Sequence, residues 1–194
     1  MILYLHGFRS SPHSFKARLL AERLRALGRA DQYLCPQLPA SPAAAIALAE
    51  SLIASQPARQ FTLIGSSLGG YYATWLAEQT GGRAVLLNPA VAAPQDLAKY
   101  VGVTTGWHSN EPFEFKAEYI DELRALAVPR ISRPERYFLV AATGDEVLDW
   151  RDMTAHYAGA RQLVIQGSDH GLSDFAQQIE AVLAFCDGAP ERPA

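Results

Sequence analysis

Lysine is scarce in this 194-residue chain. Lys16, Lys99 and Lys116 are the only three, and the other basic residues are arginines, scattered rather than clustered. With a net charge of −3, the chain has no electrostatic footprint for nucleic acid or for an anionic membrane. Cysteine is nearly missing as well. Cys35 and Cys186 lie far apart and fit no metal or redox spacing, and two free, buried thiols suit a reducing compartment. No apolar run approaches the roughly 20 residues a membrane span needs. Internal repeats and low-complexity tracts are absent apart from alanine richness, which reads, like the arginine bias, as genomic composition. No signal peptide is expected ahead of Ile2, because Ile2-Leu3-Tyr4-Leu5 already reads as a core strand. The expectation is therefore a cytoplasmic protein without metal, cofactor, nucleic acid or membrane span. Its oligomeric state is written in none of these features.

What is present is an ordinary globular composition, 49% hydrophobic and 19% charged, long enough to bury about 70% of its unfolded surface without staples. Short apolar runs alternate with helical spacing. Strands are expected at residues 2–5, 32–35, 61–64, 84–87, 137–142 and 162–166. Helices are expected at 14–27, with Phe15, Leu19, Leu20, Leu24 and Leu27 on one face, at 42–55 behind the Ser41-Pro42 start, and at 71–79, stopped by Gly81-Gly82. Two more are expected near 149–157 and over 173–185, the latter burying Leu172, Phe175, Ile179, Val182 and Leu183. Such alternation predicts a three-layer α/β fold, a mainly parallel sheet of about six strands with helices on both faces. A single domain is expected over residues 1–187, with a frayed tail at 188–194. Between residues 90 and 136 the rhythm breaks into short helical pieces, prolines and aromatics with no convincing strand, which reads as a small helical cap inserted after a strand end.

The centre of the pattern is Phe61-Thr62-Leu63-Ile64 followed by Gly65-Ser66-Ser67-Leu68-Gly69. This is G-x-S-x-G between a strand and a helix, the setting in which that motif makes a nucleophile elbow. A five-residue match occurs by chance; the flanks give it meaning. Ser67 must sit on a sharp, strained turn to expose its hydroxyl, and strand and helix then pass too closely for side chains at positions 65 and 69.

In a parallel sheet the site lies at the C-terminal ends of the strands. His6, Ser67, Asn88, Asp145 and His170 all follow strands at that edge. A serine hydroxyl needs a base to take its proton, and the base needs a third group to hold its tautomer. The order nucleophile, acid, histidine is the one this architecture uses, which selects Asp145 as the acid and His170 as the base. Among the rivals, His13 and His108 lie in loops, His156 is on a helix expected to pack away from the site, and His6 precedes the elbow. Asp169 adjoins His170, and neighbouring side chains rarely point at each other. Asp149 and Asp152 read as helix N-terminal acids, and Glu146 would serve only with the loop one residue out of register. The oxyanion donors are the N–H groups of Leu68, after the nucleophile, and of Phe8, in His6-Gly7-Phe8. In the insertion, Tyr100, Trp107, Phe113, Phe115 and Tyr119 could line an acyl pocket, with Trp107, Phe113 and Phe115 the chosen substrate-binding candidates; the bland alternative is that they bury the insertion on the body. Asn88 could hydrogen-bond in the pocket or simply cap a strand end, and the second reading is slightly favoured.

Five ordered motifs, YLHGF at 4–8, GSSLGGYYA at 65–73, NPA at 88–90, TGDEVLDW at 143–150 and SDH at 168–170, resemble the small YqiA-type esterase family of the α/β-hydrolase superfamily. The resemblance spans nearly the whole chain. It implies a serine hydrolase of acyl esters with Ser67, Asp145 and His170 as triad, acting on a small-molecule ester without a cofactor, on a fold lacking its usual first two strands. A thioesterase or peptidase on the same triad is the alternative within enzymes. A hydrolase-fold binding protein without activity is the alternative outside them.

Overall fold

Near-continuous apolar strands need cover on both faces, and that requirement shapes the architecture. The computed structural model describes residues 1–55, 61–105 and 112–188. In chain order these hold β1 (Ile2–Leu5), α1 (Phe15–Ala26), β2 (Tyr33–Leu34), α2 (Pro42–Ala54), β3 (Thr62–Ser66), α3 (Leu68–Thr80) and β4 (Arg83–Leu87). An insertion follows, with α4 (Ala93–Leu97), β5 (Gly102–Thr105), β6 (Pro112–Phe115) and α5 (Glu118–Ala125). The chain then returns to the body through β7 (Tyr137–Ala142), α6 (Trp150–His156), β8 (Arg161–Ile165) and α7 (Ile179–Cys186).

Six strands form one sheet in the order β2-β1-β3-β4-β7-β8, and every neighbouring pair is parallel. The period-two alternation sorts the strand residues between two cores. Leu3, Leu5, Leu63, Leu86 and Leu139 pack with α2, α3 and α6 on one face. Ile2, Tyr4, Ile64, Val85 and Phe138 pack with α1 and α7 on the other. β3, which carries Ser67 at its exit, lies inside the sheet between β1 and β4, so the elbow rests on a foundation buried on both sides.

The helix signals act as read at α2, where the Ser41 hydroxyl accepts from the Ala44 amide at 3.1 Å, and at α3, which ends on Gly81 at φ +74°. Three expectations need correction. Of the five residues expected on the inner face of α1, only Leu20 and Leu24 are fully buried; Phe15 and Leu27 flank the helix interior and are 43% and 42% exposed. The last helix is broken. A 3₁₀ turn, Phe175–Gln177, precedes α7, because the amides of Gln177 and Gln178 bond three residues back. The expected inner-face residues are buried all the same. The insertion is not purely helical: β5 and β6 pair as an antiparallel hairpin, Gly102 opposite Phe115.

Candidate active site

The elbow is built from backbone contacts. Ser67 has φ +54° and ψ −120°, a conformation that costs a non-glycine residue on the order of 1–3 kcal/mol. Neighbours hold it there: its amide donates to the Leu87 carbonyl at 3.1 Å, and its carbonyl accepts from the amides of Gly70 and Ala90 at 2.9 and 3.0 Å. A Cβ at residue 65 would stand 2.2 Å from the Gly69 carbonyl oxygen, and one at residue 69 would stand 1.9 Å from that of Leu5. No L-residue with a side chain fits either place. Ser67 is not alone in its strain. The five non-glycine residues of positive φ among those described are Arg9, Ser67, Asn88, Ser168 and Leu172, and all five lie in the segments that follow β1, β3, β4 and β8. Strain of this kind costs energy at each position, and it falls on the edge that the sequence pattern selects for the site.

The structure brings the three expected side chains into one line. His170 Nε2 lies 3.1 Å from Ser67 Oγ, and His170 Nδ1 lies 2.8 Å from Asp145 Oδ2. The Asp145 side chain has no exposed surface, while that of His170 keeps 21%. Asp145 Oδ1 accepts from the amides of Val147 and Leu148 at 2.8 and 2.9 Å. With both oxygens engaged, the carboxylate orients the imidazole rather than turning freely. The rival residues have other tasks. Asp169 Oδ1 accepts from the Ser173 amide, Asp149 caps α6 through the Arg151 amide, His13 is exposed, and His156 packs edge-on to Tyr157. His108 lies outside the described residues.

Several contacts had no sequence signal of their own. Glu146, weighed only as a substitute acid, accepts from the His170 amide at 2.9 Å. Asn88 is fully buried at φ +42°. Its Oδ1 accepts from the Ala142 amide at 2.8 Å, and its Nδ2 donates to the carbonyls of Asp169 and His170 at 3.0 and 3.1 Å. It thus ties the ends of β4 and β7 to the His170 loop, which is more than capping a strand. Gly144 lets the Asp145 loop approach that same loop, since a Cβ there would stand 2.3 Å from the Ser168 carbonyl oxygen. The Lys16 ammonium donates to the Gly171 carbonyl at 2.6 Å. Burial pulls its pKa down to about 8, against the charges of Asp169 and Asp145, which raise it.

The loop after β1 lies against Ser67. A Cβ on Gly7 would stand 3.2 Å from Ser67 Cβ, so the backbone just before Phe8 passes close to Ser67. His6 is 4% exposed. Its Nε2 accepts from the Leu38 amide at 3.0 Å, which leaves Nδ1–H to donate to the Gly7 carbonyl at 3.0 Å. These two bonds tie the loop after β1 to the segment after β2. Leu68 opens α3 and is buried, and a first-turn amide has no partner within its own helix. The Phe8 ring is the hub of the insertion's aromatics, 5.5 Å from Tyr100, 5.3 Å from Phe113 and 5.1 Å from Phe115. Phe115 has no exposed surface, so it anchors the hairpin in the core instead of offering a face to a ligand. Phe113 is half-buried against Phe8, and Trp107 lies outside the described residues.

Among the described residues, no group of three or more His, Cys, Asp or Glu could hold a metal ion, and no helix is long and apolar enough to cross a membrane. A model of the family described as "Uncharacterised protein family (UPF0227)" matches residues 1–187. Among solved structures, the chain is similar to Est1E from Butyrivibrio proteoclasticus with ferulic acid bound, at 14% identity and TM-score 0.71 over 96% of this chain and 89% of that one. It is similar to the esterase domain of a Rhodothermus marinus protein, at 19% identity and TM-score 0.68 over 95% and 85%. It is also similar to mouse alpha/beta hydrolase domain-containing protein 10, at 16% identity and TM-score 0.69 over 94% and 88%. At these identities the likeness is one of fold, and the fold is that of the α/β hydrolases.

Proposed function

We propose that this chain, which belongs to the UPF0227 family, is a serine carboxylesterase that hydrolyses acyl esters of small molecules through an acyl-enzyme. The observation that carries the reading is the unbroken line from Asp145 Oδ2 through both nitrogens of His170 to Ser67 Oγ, at 2.8 and 3.1 Å. A chain of this geometry serves nucleophilic attack. With Nδ1–H directed to Asp145, the Nε2 lone pair is free to take the Ser67 proton as Oγ attacks the acyl carbonyl. The imidazolium that forms is stabilised by the buried carboxylate. The amides of Leu68 and Phe8 hold the developing oxyanion, helped by the positive end of α3. Collapse of the tetrahedral adduct breaks the acyl–oxygen bond of the substrate, and the departing alcohol leaves with the proton from His170. Water then enters, His170 takes one of its protons, hydroxide adds to the acyl carbon, and Ser67 leaves reprotonated with the carboxylic acid as product. That one of the proteins of similar fold is an esterase domain fits this reading.

Phe8 and the half-buried Phe113 pack edge-on at 5.3 Å, and an apolar pair of this kind would suit the acyl chain of an uncharged ester. The deciding experiment is hydrolysis of short-chain p-nitrophenyl esters by the wild type and by Ser67→Ala. The variant should lose on the order of 10⁶ in kcat. Turnover by Ser67→Ala at the wild-type rate would refute the assignment of the nucleophile.

A further inference from the structure

A buried cation stands behind the proposed base. Lys16 lies in the first turn of α1, where the helix dipole disfavours positive charge and where no acidic residue offsets it. It is 8% exposed. Burying an ammonium is unfavourable, and a methionine would fill the same space without that cost. What the ammonium gains is the Gly171 carbonyl at 2.6 Å, one residue beyond His170. Asn88 already holds the carbonyls of Asp169 and His170. Three consecutive carbonyls of one loop therefore end on two buried donors supplied by distant elements. The His170 amide between them is taken by Glu146. The charged groups that face Lys16 are the carboxylates of Asp169, from the His170 loop, and Asp145, from the loop after β7.

We propose that Lys16 is a positioning residue for the reaction: its protonated ammonium clamps the carbonyl next to His170 and so holds the imidazole within reach of Ser67. The proposal rests on the hydrolytic reading of Ser67, Asp145 and His170. A charge-assisted hydrogen bond is roughly twice as strong as a neutral one, so the clamp is tight while Lys16 carries its proton and slackens when the proton leaves. Burial brings that loss to about pH 8. The sign follows: kcat is highest below this pH and falls as pH rises through it.

The test compares wild type, Lys16→Gln and Lys16→Met across pH 6.5–9.5 on a short-chain p-nitrophenyl ester, with Ser67→Ala as the blank. Gln keeps a neutral donor and stands in for deprotonated lysine, while Met keeps length and removes the donor. At pH 7, Lys16→Gln should lose about 10-fold and Lys16→Met about 100-fold in kcat, with KM within about twofold, as expected when a catalytic group is displaced without loss of the binding surface. The wild-type kcat should fall above pH 8 towards that of Lys16→Gln, and neither variant should show that fall. Both variants should fold and melt within a few degrees of the wild type, because the relief of a buried ammonium is set against the lost hydrogen bond to the Gly171 carbonyl. Variants with wild-type kcat and a wild-type alkaline profile would overturn the proposal. So would failure of both to fold, which would make Lys16 a structural residue only. Turnover that survives in Ser67→Ala would instead overturn the reading of the site itself, so the two failures are distinguishable.

Discussion

The elbow and the His170 loop meet across one 3.1 Å hydrogen bond, yet they are rigid for different reasons. The elbow is held by main chain. Its strand, turn and helix are adjacent in sequence, and glycines at 65 and 69 let backbones touch where any side chain would clash. The His170 loop is held by side chains from elsewhere: Asn88 at the end of β4, Glu146 after β7 and Lys16 in α1. Strain is shared between them, with Ser67 on one side and Ser168 and Leu172 on the other at positive φ. The difference teaches how such a site divides its work. A nucleophile needs one sharp, locally encoded turn. A base that must reach it from the far end of the chain needs tethers, and those can come from any element that passes near.

The comparison can be broken from either side. The larger effect should come from the elbow. Gly65→Ala puts a Cβ into backbone rather than into a side chain that could swing away, so it should destabilise the fold by about 4 kcal/mol or more and leave little folded protein in a urea melt. A stable Gly65→Ala protein with full activity would mean that the elbow is looser than its contacts state. The loop should break more gently. Asn88→Ala leaves the Ala142 amide and two carbonyls without their buried partner, at about 1–3 kcal/mol for an unsatisfied buried group. It should also lower kcat more than it raises KM, because what moves is the loop of the proposed base, His170. An Asn88→Ala enzyme that loses stability but keeps kcat would reduce Asn88 to a fold residue. The Lys16 variants, the mildest of the set, sharpen the same contrast by changing one tether while the fold stays intact.

This division also explains what could be read from the chain. Ser67, Asp145 and His170 were legible because each follows a strand, and the C-terminal-edge rule for parallel sheets turns three distant positions into neighbours. The elbow was legible because its constraint is local. The sheet itself was legible from its apolar runs, since its inner strands β1, β3, β4 and β7 are covered on both faces. The hairpin in the insertion was not. Its strands are four residues each, and β5 starts on Gly102 at φ +128°, so neither offers a run long enough to show a period. Nor could the burial of Phe115 be told from the half-burial of Phe113, two residues before it on β6. The tethers were hidden for another reason. Lys16 and Gly171 are 155 positions apart, and nothing around Lys16 marks it except an unfavourable place for a cation at the start of a helix.

The most direct measurement of the central claim is the site and rate of labelling by a fluorophosphonate, read by peptide mass spectrometry on folded wild type and on His170→Ala. The account predicts a single adduct on Ser67 that forms rapidly in the wild type and is slower by orders of magnitude without the imidazole. Labelling at another residue, or at Ser67 with equal speed in both proteins, would contradict it.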